Sequence, residues 1–285
     1  MRYLNTNVRA AAALMCAAIF SLAGAAPRAA AADDPAVLAA DWDFAQAAAK
    51  SDSAALGKLL DNDFVWIDMN GKVSDLTRVL GSVPKISAAA GGAPKVRWHN
   101  YGQVEVMQTD SGRMHVLRVW VKRPKGWRAL VYQEVQSLAA PPRTTPSASK
   151  ECENPCKSVG YTPKNDTERA VITAYEGLET SAMKHDAADW DAHTGEEFVA
   201  ASSYSDRLLD KPTRLAELKR ENMAGLAPTP LASGQLFEFG DAVVMRSRHV
   251  PDRGKPLQVT RVWVMRDGKW VETASYQTAV QGGGS

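Results

Sequence analysis

The sequence contains RVWVKRPKGW from Arg118 to Trp127 and RVWVMRDGKW from Arg261 to Trp270, and six of the ten positions are identical. In each stretch, four residues typical of a strand are followed by a turn and then by a tryptophan. The turns RPKG and RDGK carry the Gly, with Pro or Asp, that hairpins need. Both stretches are therefore predicted to be strand–turn–strand units, one near the end of each of two similar halves of the chain.

The two halves share the order of their predicted elements. Each begins with a helix, continues through a short helix into a strand that contains Phe64 or Phe198, and ends in a run of strands. The residues predicted to face the core from the first helix of each half are Leu38, Trp42, Ala45 and Ala49, and Ile172, Tyr175, Leu178 and Ala182. Helices followed by antiparallel strands predict an α+β fold with the helices on one face of a curved sheet.

Two motifs of the first half resemble a known superfamily. DFVWIDMNGKV at 63–73, and RVWVKR followed by GWRALVYQ, are similar to the NTF2-like superfamily and within it to the SnoaL-like, DUF4440-type branch, which contains relatives of ketosteroid isomerase. The resemblance covers 34–138 and again 167–280. It implies two tandem cone-shaped domains, each a curved antiparallel sheet around N-terminal helices with an apolar pocket at its open end. The superfamily includes isomerases, cyclases, dehydratases and binding modules, so the resemblance specifies fold better than function.

The boundaries of the predicted signal peptide, domains and linker follow from the amino-acid composition along the chain. Residues 1–32 carry Arg2 and Arg9, a short apolar core and small-residue exits, which predicts a cleaved bacterial-type signal peptide and a periplasmic or secreted protein. An uncleaved anchor is the alternative. Residues 33–139 are the first predicted domain, 140–166 a linker rich in Pro, Ser and Thr, 167–281 the second domain, and 282–285 a tail. Without the signal, 31 basic and 32 acidic residues remain, a balance that argues against nucleic acid or an anionic membrane as partner.

The linker contains CENPC, with Cys152 and Cys156 on either side of a turn at Pro155. Two close cysteines in an exported chain predict a local disulfide. A redox or metal pair is the alternative. The five histidines show no ligand spacing, and no nucleotide or zinc motif is present, so neither a metal site nor a cofactor is predicted.

Asp68 is the candidate general base, if either half is catalytic. It ends the strand FVWID, and alternation places it on one face with Trp66. The superfamily resemblance implies a carboxylate base in an apolar cone opposite a hydrogen-bond donor, which needs no cofactor. The competing interpretation is that Asp68 caps the turn DMNG through its own backbone. In the second half, Ser202 takes the place of Asp68.

The remaining pocket candidates are aromatic or polar. In RVWV, Arg118 and Trp120 share one face and the valines the other; the favoured prediction places the valines against the helix, and the alternative points Arg118 into the cone. The second half is expected to offer no pocket carboxylate. The predicted pocket residues are Trp42, Trp66, His99, Tyr101, Arg118 and Tyr132 in the first half, and Tyr175, Ser202, Tyr204, Arg261 and Tyr276 in the second.

Three functional hypotheses remain. The first is a non-catalytic module that binds a small apolar or amphipathic molecule, or a protein partner, with its two domains packed as an intramolecular pseudo-dimer. The second is a cofactor-free isomerase, dehydratase or cyclase with Asp68 as base. The third is a structural pseudo-dimer with filled pockets.

Overall fold

A computed structural model describes residues 34–87, 94–139, 152–220, 228–252 and 254–282. The predicted signal peptide, the first part of the linker and the last three residues of the tail lie outside the described residues. Within the described ranges, no helix is both long and apolar enough to cross a bilayer.

The first half, domain 1, begins with helices whose starts are set by aspartates. Asp34, Asp52 and Asp75 each accept a hydrogen bond from a backbone N–H in the following turn, which satisfies a donor that the helix leaves free. Its elements are α1 (Pro35–Ala49), α2 (Ser53–Gly57), β1 (Leu60–Ile67), β2 (Val73–Asp75), α3 (Leu76–Gly81), β3 (Lys95–Asn100), β4 (Val104–Ser111), β5 (Met114–Arg123) and β6 (Gly126–Gln136).

The second half, domain 2, repeats this order. Asn165, Asp186 and Asp210 cap its helices in the same way. Its elements are α4 (Asp166–Lys184), α5 (Ala187–Ala192), β7 (Thr194–Ser202), β8 (Leu209–Asp210), α6 (Lys211–Leu218), β9 (Leu231–Phe239), β10 (Ala242–His249), β11 (Leu257–Arg266) and β12 (Lys269–Ala279).

Each domain forms one six-stranded sheet, in the orders β2-β1-β6-β5-β4-β3 and β8-β7-β12-β11-β10-β9. Neighbouring strands are antiparallel except β1 with β6 and β7 with β12. Both sheets have a register irregularity at the same place, after Val119 and after Val262, where such irregularities bend a strand. One apolar cluster lies between each sheet and its helices; these interiors are called cone 1 and cone 2. The prediction of an α+β protein with two domains, each a mainly antiparallel sheet packed against its helices, is confirmed.

The buried face of α1 differs from the predicted stripe. Val37 and Phe44 are fully buried in cone 1, whereas Leu38 is 39% exposed and Trp42 is 67% exposed. The prediction was wrong because α1 is rich in alanine, which marks no face of a helix. The stripe predicted for α4 is buried at Ile172, Tyr175 and Leu178.

In both RVWV strands the tryptophan faces the helices and the valines face the other domain, as in the alternative interpretation. The valines of both strands belong to an apolar cluster that lies between the two sheets. Trp120 lies in cone 1 and Trp263 in cone 2, on the side of the helices. The favoured prediction was wrong because both faces of each sheet are buried, so alternation alone cannot distinguish the face toward the helices from the face toward the other domain.

The two Tyr-Gln pairs are not equivalent, although both end their strands. Arg118 pairs with Tyr132 across β5 and β6, whereas Arg261 pairs with Ser275 across β11 and β12. Tyr276 is therefore one position out of register and lies on the other face of its sheet, in the cluster between the domains. A one-residue offset moves a side chain to the opposite face of a strand. The prediction of Tyr276 as a pocket residue was wrong for this reason.

The two domains contact each other through paired interactions of the kind that a two-fold axis produces. The Arg123 guanidinium lies 5.0 Å from the centre of the Phe239 ring, and Arg266 lies 5.7 Å from the centre of the Tyr101 ring. Each arginine follows the RVWV of one domain; in the other domain, Phe239 is the last residue of β9 and Tyr101 directly follows β3. At the centre, the Gln133 side-chain amide donates to the Tyr276 carbonyl at 3.0 Å. The two domains are thus in direct contact through their sheets.

The last part of the predicted linker is packed against domain 2. Cys152 and Cys156 are joined in the predicted disulfide. Inside that loop, Asn154 donates to the Leu231 carbonyl at 3.0 Å and accepts from the Leu231 N–H at 2.9 Å. Tyr161, further along, packs against the cone 2 cluster. Residues 152–161 therefore bind to the first residues of β9, which is the edge strand of its sheet.

Candidate functional site

Cone 1 contains a buried ion pair between its helix and its sheet. Arg118 Nε lies 3.0 Å from Asp41 Oδ1, and Trp120 Nε1 donates to the same oxygen at 2.9 Å. Burial raises the pKa of Asp41, although Arg118 opposes the rise, and burial lowers the pKa of Arg118. The Phe44 ring lies beside the guanidinium, 5.7 Å from centroid to carbon. The positive charge of Arg118 in cone 1 is thus paired with a carboxylate of the chain itself, that of Asp41.

A second buried carboxylate in cone 1, Glu134, is saturated with donors. Tyr132 Oη donates to it at 2.9 Å, Ser87 donates its backbone N–H at 3.0 Å and its hydroxyl at 2.7 Å, and Met69 donates its N–H at 3.2 Å. Trp66 stacks on Tyr132 with ring centroids 3.9 Å apart. The predicted residues Trp66, Arg118 and Tyr132 therefore do meet in cone 1, where the ionised and hydroxyl groups are bound to other side chains.

Asp68 lies at the turn and not in the cone. Its Oδ1 accepts from the backbone N–H groups of Asn70 at 2.9 Å and Lys72 at 3.0 Å. Ser202 makes the same kind of contact, since its hydroxyl accepts from the Tyr204 N–H at 3.2 Å. Aspartate and serine both stabilise such turns. The difference between the two halves at this position therefore preserves one structural role, and the geometry favours the turn interpretation over a general base.

Four further predicted residues lie outside the cones. Tyr101 reaches into the interface, where burial and Glu197 raise its pKa well above the usual range and its hydroxyl also hydrogen-bonds Thr273. His99 stacks on Tyr101, with ring centroids 6.3 Å apart. Trp42 lies on the outer face of α1. Tyr204, in domain 2, donates to the Lys255 carbonyl at 3.3 Å near a small separate cluster.

Cone 2 holds a denser arrangement of charge around Arg261. Its Nη2 donates to Glu179 Oε1 at 2.9 Å, its Nε lies 3.0 Å from Glu272 Oε1, and its Nη1 lies 3.2 Å from His249 Nε2. The guanidinium also lies over the Tyr175 ring, 4.8 Å from its centre. The side chains of Arg261 and Glu272 are 5% and 3% exposed, and Glu179 is 17% exposed. Glu179 is thus the part of the cluster nearest to solvent.

Burial shifts the pKa values of two groups in this cluster. It raises the pKa of Glu272 to about 8, although the neighbouring Arg261 lowers it. It also lowers the pKa of His249 to about 3, helped by the charge of Arg261. The His249 Nδ1 faces the Thr229 carbonyl at 2.9 Å, so Nδ1 carries the proton and Nε2 accepts from Arg261 and from Ser247. At neutral pH the cluster therefore contains a neutral histidine and a carboxyl group that titrates near physiological pH.

Two fully buried donors of cone 2 have no acceptor among the described residues, Tyr175 Oη and Trp263 Nε1. In domain 1 the equivalent tryptophan, Trp120, donates to Asp41 of α1. In domain 2 the position of Asp41 is occupied by Tyr175 of α4, which offers no carboxylate to Trp263. A buried donor without a partner costs about 1–3 kcal/mol, so such atoms call for an explanation. Tyr276 Oη is also buried without a partner, but it lies between the domains.

The expectation that domain 2 has no pocket carboxylate was wrong. Glu272 occupies the position of Ala129, since each pairs with the tryptophan of its RVWV motif, and Glu179 comes from α4. Asp41 and His249 were missed as well. Counting from the tryptophan that follows each turn places Glu272 opposite Ala129, and this count was the available signal. Among the described residues, no group of three or more His, Cys, Asp or Glu side chains is placed to hold a metal ion.

Comparisons with known proteins concern the fold alone. No protein-family model matches the chain, and no curated protein matches it. Among solved structures, an NTF2-like protein from Cytophaga hutchinsonii is 17% identical over 40% of this chain and 99% of its own, with a TM-score of 0.35. An NTF2-like protein of unknown function from Pseudomonas putida is 16% identical over 40% and 87%, with a TM-score of 0.32. The association domain of C. elegans CaMKII is 12% identical over 40% and 95%, with a TM-score of 0.34.

Proposed function

We propose that the chain is an exported binding protein whose cone 2 holds a small, mainly apolar molecule by a hydrogen-bond acceptor, without catalysing a reaction. The signal-like N-terminal sequence and the disulfide support export. The matching element order and the matching irregularities of the two sheets support descent from a duplicated domain. In this proposal domain 1 is the structural half, and domain 2 is the half that binds.

The two donors without acceptors carry the proposal. Tyr175 Oη and Trp263 Nε1 lie inside an apolar cluster and have no partner among the described residues. A bound carbonyl, hydroxyl or ether oxygen supplies what they lack. In cone 1 the Trp120 and Tyr132 donors are bound to Asp41 and Glu134, although Trp66 Nε1 is buried there without an acceptor among the described residues.

The charges of cone 2 favour a neutral ligand over an anion. Arg261 already faces Glu179 and Glu272 at about hydrogen-bond distance. An added anion would have to be buried beside these two acids, and a buried charge without a counter-ion is costly. An amphipathic neutral molecule places its acceptor on the two donors and its apolar body against the walls of the cone.

A thermal-shift screen of neutral ketones, alcohols, phenols and amides tests the proposal. A ligand at a hundred times its Kd adds about 2.7 kcal/mol to the free energy of unfolding, which raises the Tm of a protein of this size by roughly 5–10 °C. The variant Tyr175→Phe keeps the ring and removes one donor, so the Kd is expected to rise roughly tenfold. Tyr276→Phe is the matched control, because its hydroxyl is equally buried and unpartnered but lies outside the cone. A screen without hits, or equal effects of both variants, contradicts the proposal.

A second candidate function is acid–base catalysis in the same cone. The hypothesis of a cofactor-free isomerase, dehydratase or cyclase with Asp68 as base has no support from the position of that residue. Glu272 is the better candidate, because a carboxyl group whose pKa is about 8 suits proton transfer near neutral pH. Incubation of a screening hit in D2O tests this candidate by NMR: exchange of a carbon-bound proton that Glu272→Gln abolishes supports it, and an unchanged ligand spectrum rejects it.

A further inference from the structure

Cone 2 is closed around the two donors that have no acceptor. Tyr175 and Trp263 are 0% exposed, so a molecule reaches them only when part of the wall of cone 2 moves. Between α4 and the edge strand β9, this wall includes residues 152–161, which contact both elements. We call these residues the strap. Its Val159 and Tyr161 pack against the apolar cluster that contains both donors.

The strap is attached to both sides of this gap by side chains. Asn154 bonds the backbone N–H and carbonyl of Leu231 at the start of β9. On the other side, Thr180 of α4 donates to the Cys156 carbonyl at 3.2 Å. Among the described residues, no backbone–backbone hydrogen bond joins the strap to the rest of domain 2. The strap can therefore detach without breaking a helix or a strand.

Both attachments lie beside the charged cluster of cone 2. Thr180 directly follows Glu179, the member of that cluster nearest to solvent. Leu231 lies two positions after Thr229, whose carbonyl faces the ring of His249 at 2.9 Å. The strap therefore borders cone 2 where the charged cluster comes closest to the surface.

The disulfide constrains the loop that carries the β9 attachment. Cys152 and Cys156 close the loop around Asn154. Without this bond the loop gains conformational freedom whenever it leaves β9. By the entropy of closing a loop of this length, that gain favours the detached state about 30-fold. Cys152 is 7% exposed and Cys156 is more accessible, so an attacking thiolate reaches the Cys156 sulfur more readily.

We propose that the strap is the gate of cone 2 and that reduction of the Cys152–Cys156 disulfide opens it. The proposal rests on the proposed function, because it concerns the entry of a neutral ligand into the same cone. In the oxidised protein the strap stays attached and exchange of the ligand is slow. After reduction the strap detaches more often, and the ligand enters and leaves faster.

The reductant is a protein that carries a dithiol. One of its thiolates attacks the Cys156 sulfur and forms a mixed disulfide, and Cys152 leaves as a thiolate that takes up a proton. The second thiol of the reductant then attacks its own partner sulfur in the mixed disulfide, which releases Cys156 as a thiol. Two electrons and two protons thus pass from the dithiol to the two cysteines.

Hydrogen exchange measured by NMR tests the gate without any ligand. The Leu231 N–H is bonded to Asn154, so its exchange rate reports the attachment of the strap. The Trp263 indole N–H has no acceptor among the described residues, so its exchange rate reports the entry of water into cone 2. The Trp120 indole N–H of cone 1 is the internal control and is expected to keep its rate.

The double variant Cys152→Ser, Cys156→Ser is compared with the oxidised wild type. Both reporter protons are expected to exchange roughly 10- to 30-fold faster in the variant. Wild type reduced with dithiothreitol provides the same comparison without a substitution. Asn154→Ala, with the disulfide intact, removes the β9 attachment and is expected to act in the same direction. Glu153→Gln, at a 71% exposed side chain of the same loop, is the matched control and is expected to leave both rates unchanged.

Ligand entry is measured by stopped flow with prodan, a neutral naphthyl ketone whose fluorescence responds to apolar surroundings. Its association and dissociation rates are both expected to rise roughly 10- to 30-fold on reduction. The Kd is expected to change by less than about threefold, because a gate limits passage in both directions equally.

Three results overturn the gate. The first is equal exchange of both reporter protons in the oxidised and reduced protein. The second is faster exchange at Leu231 with an unchanged rate at the Trp263 indole, since the strap then moves without opening the cone. The third is prodan that binds both forms at equal rates. Faster exchange of both protons without any binding of prodan supports the gate and counts against the proposed function.

Discussion

Replacement of Glu272 by Gln tests the protonation of cone 2 through the pH dependence of stability. Burial raises the pKa of Glu272 from its ordinary 4.5 to about 8. Between these values the unfolded chain has released the proton and the folded chain still holds it. The stability that Glu272 contributes is therefore complete below pH 4.5 and is lost as the pH rises to about 8. The slope is about 1.4 kcal/mol of unfolding free energy per pH unit.

His249 acts in the opposite sense at lower pH. Its pKa falls from 6.5 in the unfolded chain to about 3 in the folded protein, so its contribution is complete above 6.5 and is lost as the pH falls towards 3. Between pH 4.5 and 6.5 the two slopes oppose each other. The wild-type contribution of this pair is therefore nearly level in that range and decreases above it. In Glu272→Gln the decrease above 6.5 is expected to disappear.

Urea denaturation followed by tryptophan fluorescence, at pH values from about 5 to 9, measures both proteins. The unfolding free energy of Glu272→Gln minus that of the wild type is expected to grow by about 1.4 kcal/mol per pH unit up to about pH 8 and then to level off. Other titrating groups cancel in this difference. Glu153→Gln, at a side chain 71% exposed, is the control for replacing a carboxylate by an amide at the surface. A constant difference between wild type and Glu272→Gln from pH 5 to 8 would refute the reasoning.

Three more predictions concern domain 1. Asp41→Ala leaves Arg118 buried without its partner, so it is expected to lower the unfolding free energy, measured by urea denaturation, by about 3–5 kcal/mol. Asp43→Ala, at an exposed position of the same helix, is expected to change it by less than about 0.5 kcal/mol. Equal losses in the two variants would contradict the ion pair. Asp68→Ala is expected to cost about 1–2 kcal/mol through the turn, and Asp68→Asn much less, while both retain full ligand affinity in the thermal-shift assay; loss of binding in either would restore a role in the site. Tyr101→Phe removes the hydroxyl that reaches across the interface and is expected to cost about 1–2 kcal/mol, with an unchanged Tm as the contrary result.

The architecture was largely predictable because several independent signals agreed. Capping aspartates began the helices, Gly-containing turns closed the hairpins, and the repeated RVWV placed the same hairpin in both halves. The face of each strand was less predictable. In a sheet buried on both sides, alternation separates two sets of residues but does not say which set faces the helices. The alanine-rich α1 gave a similar ambiguity, which is why Trp42 was expected inside and lies outside.

The candidate site was harder to predict because its carboxylates come from positions where the two halves differ. Asp41 in α1 corresponds to Tyr175 in α4, and Ala129 in β6 corresponds to Glu272 in β12. Arg118 is thus paired with one acid from its helix, whereas Arg261 is paired with one from its helix, Glu179, and one from its sheet, Glu272. The difference between Asp68 and Ser202 is more visible in the sequence, but both residues stabilise the same turn. The strand register of the last hairpin in each domain is what shows that the change from Ala129 to Glu272 lies in the cone, whereas the change from Asp68 to Ser202 lies in a turn.

A high-resolution crystal structure of the protein purified from its own host tests the central claim most directly. The account predicts density for a small molecule in cone 2, with an oxygen within hydrogen-bond distance of Tyr175 Oη and Trp263 Nε1, and no such density in cone 1. A cone 2 filled by the chain's own side chains, with both donors bound to protein acceptors, would contradict it.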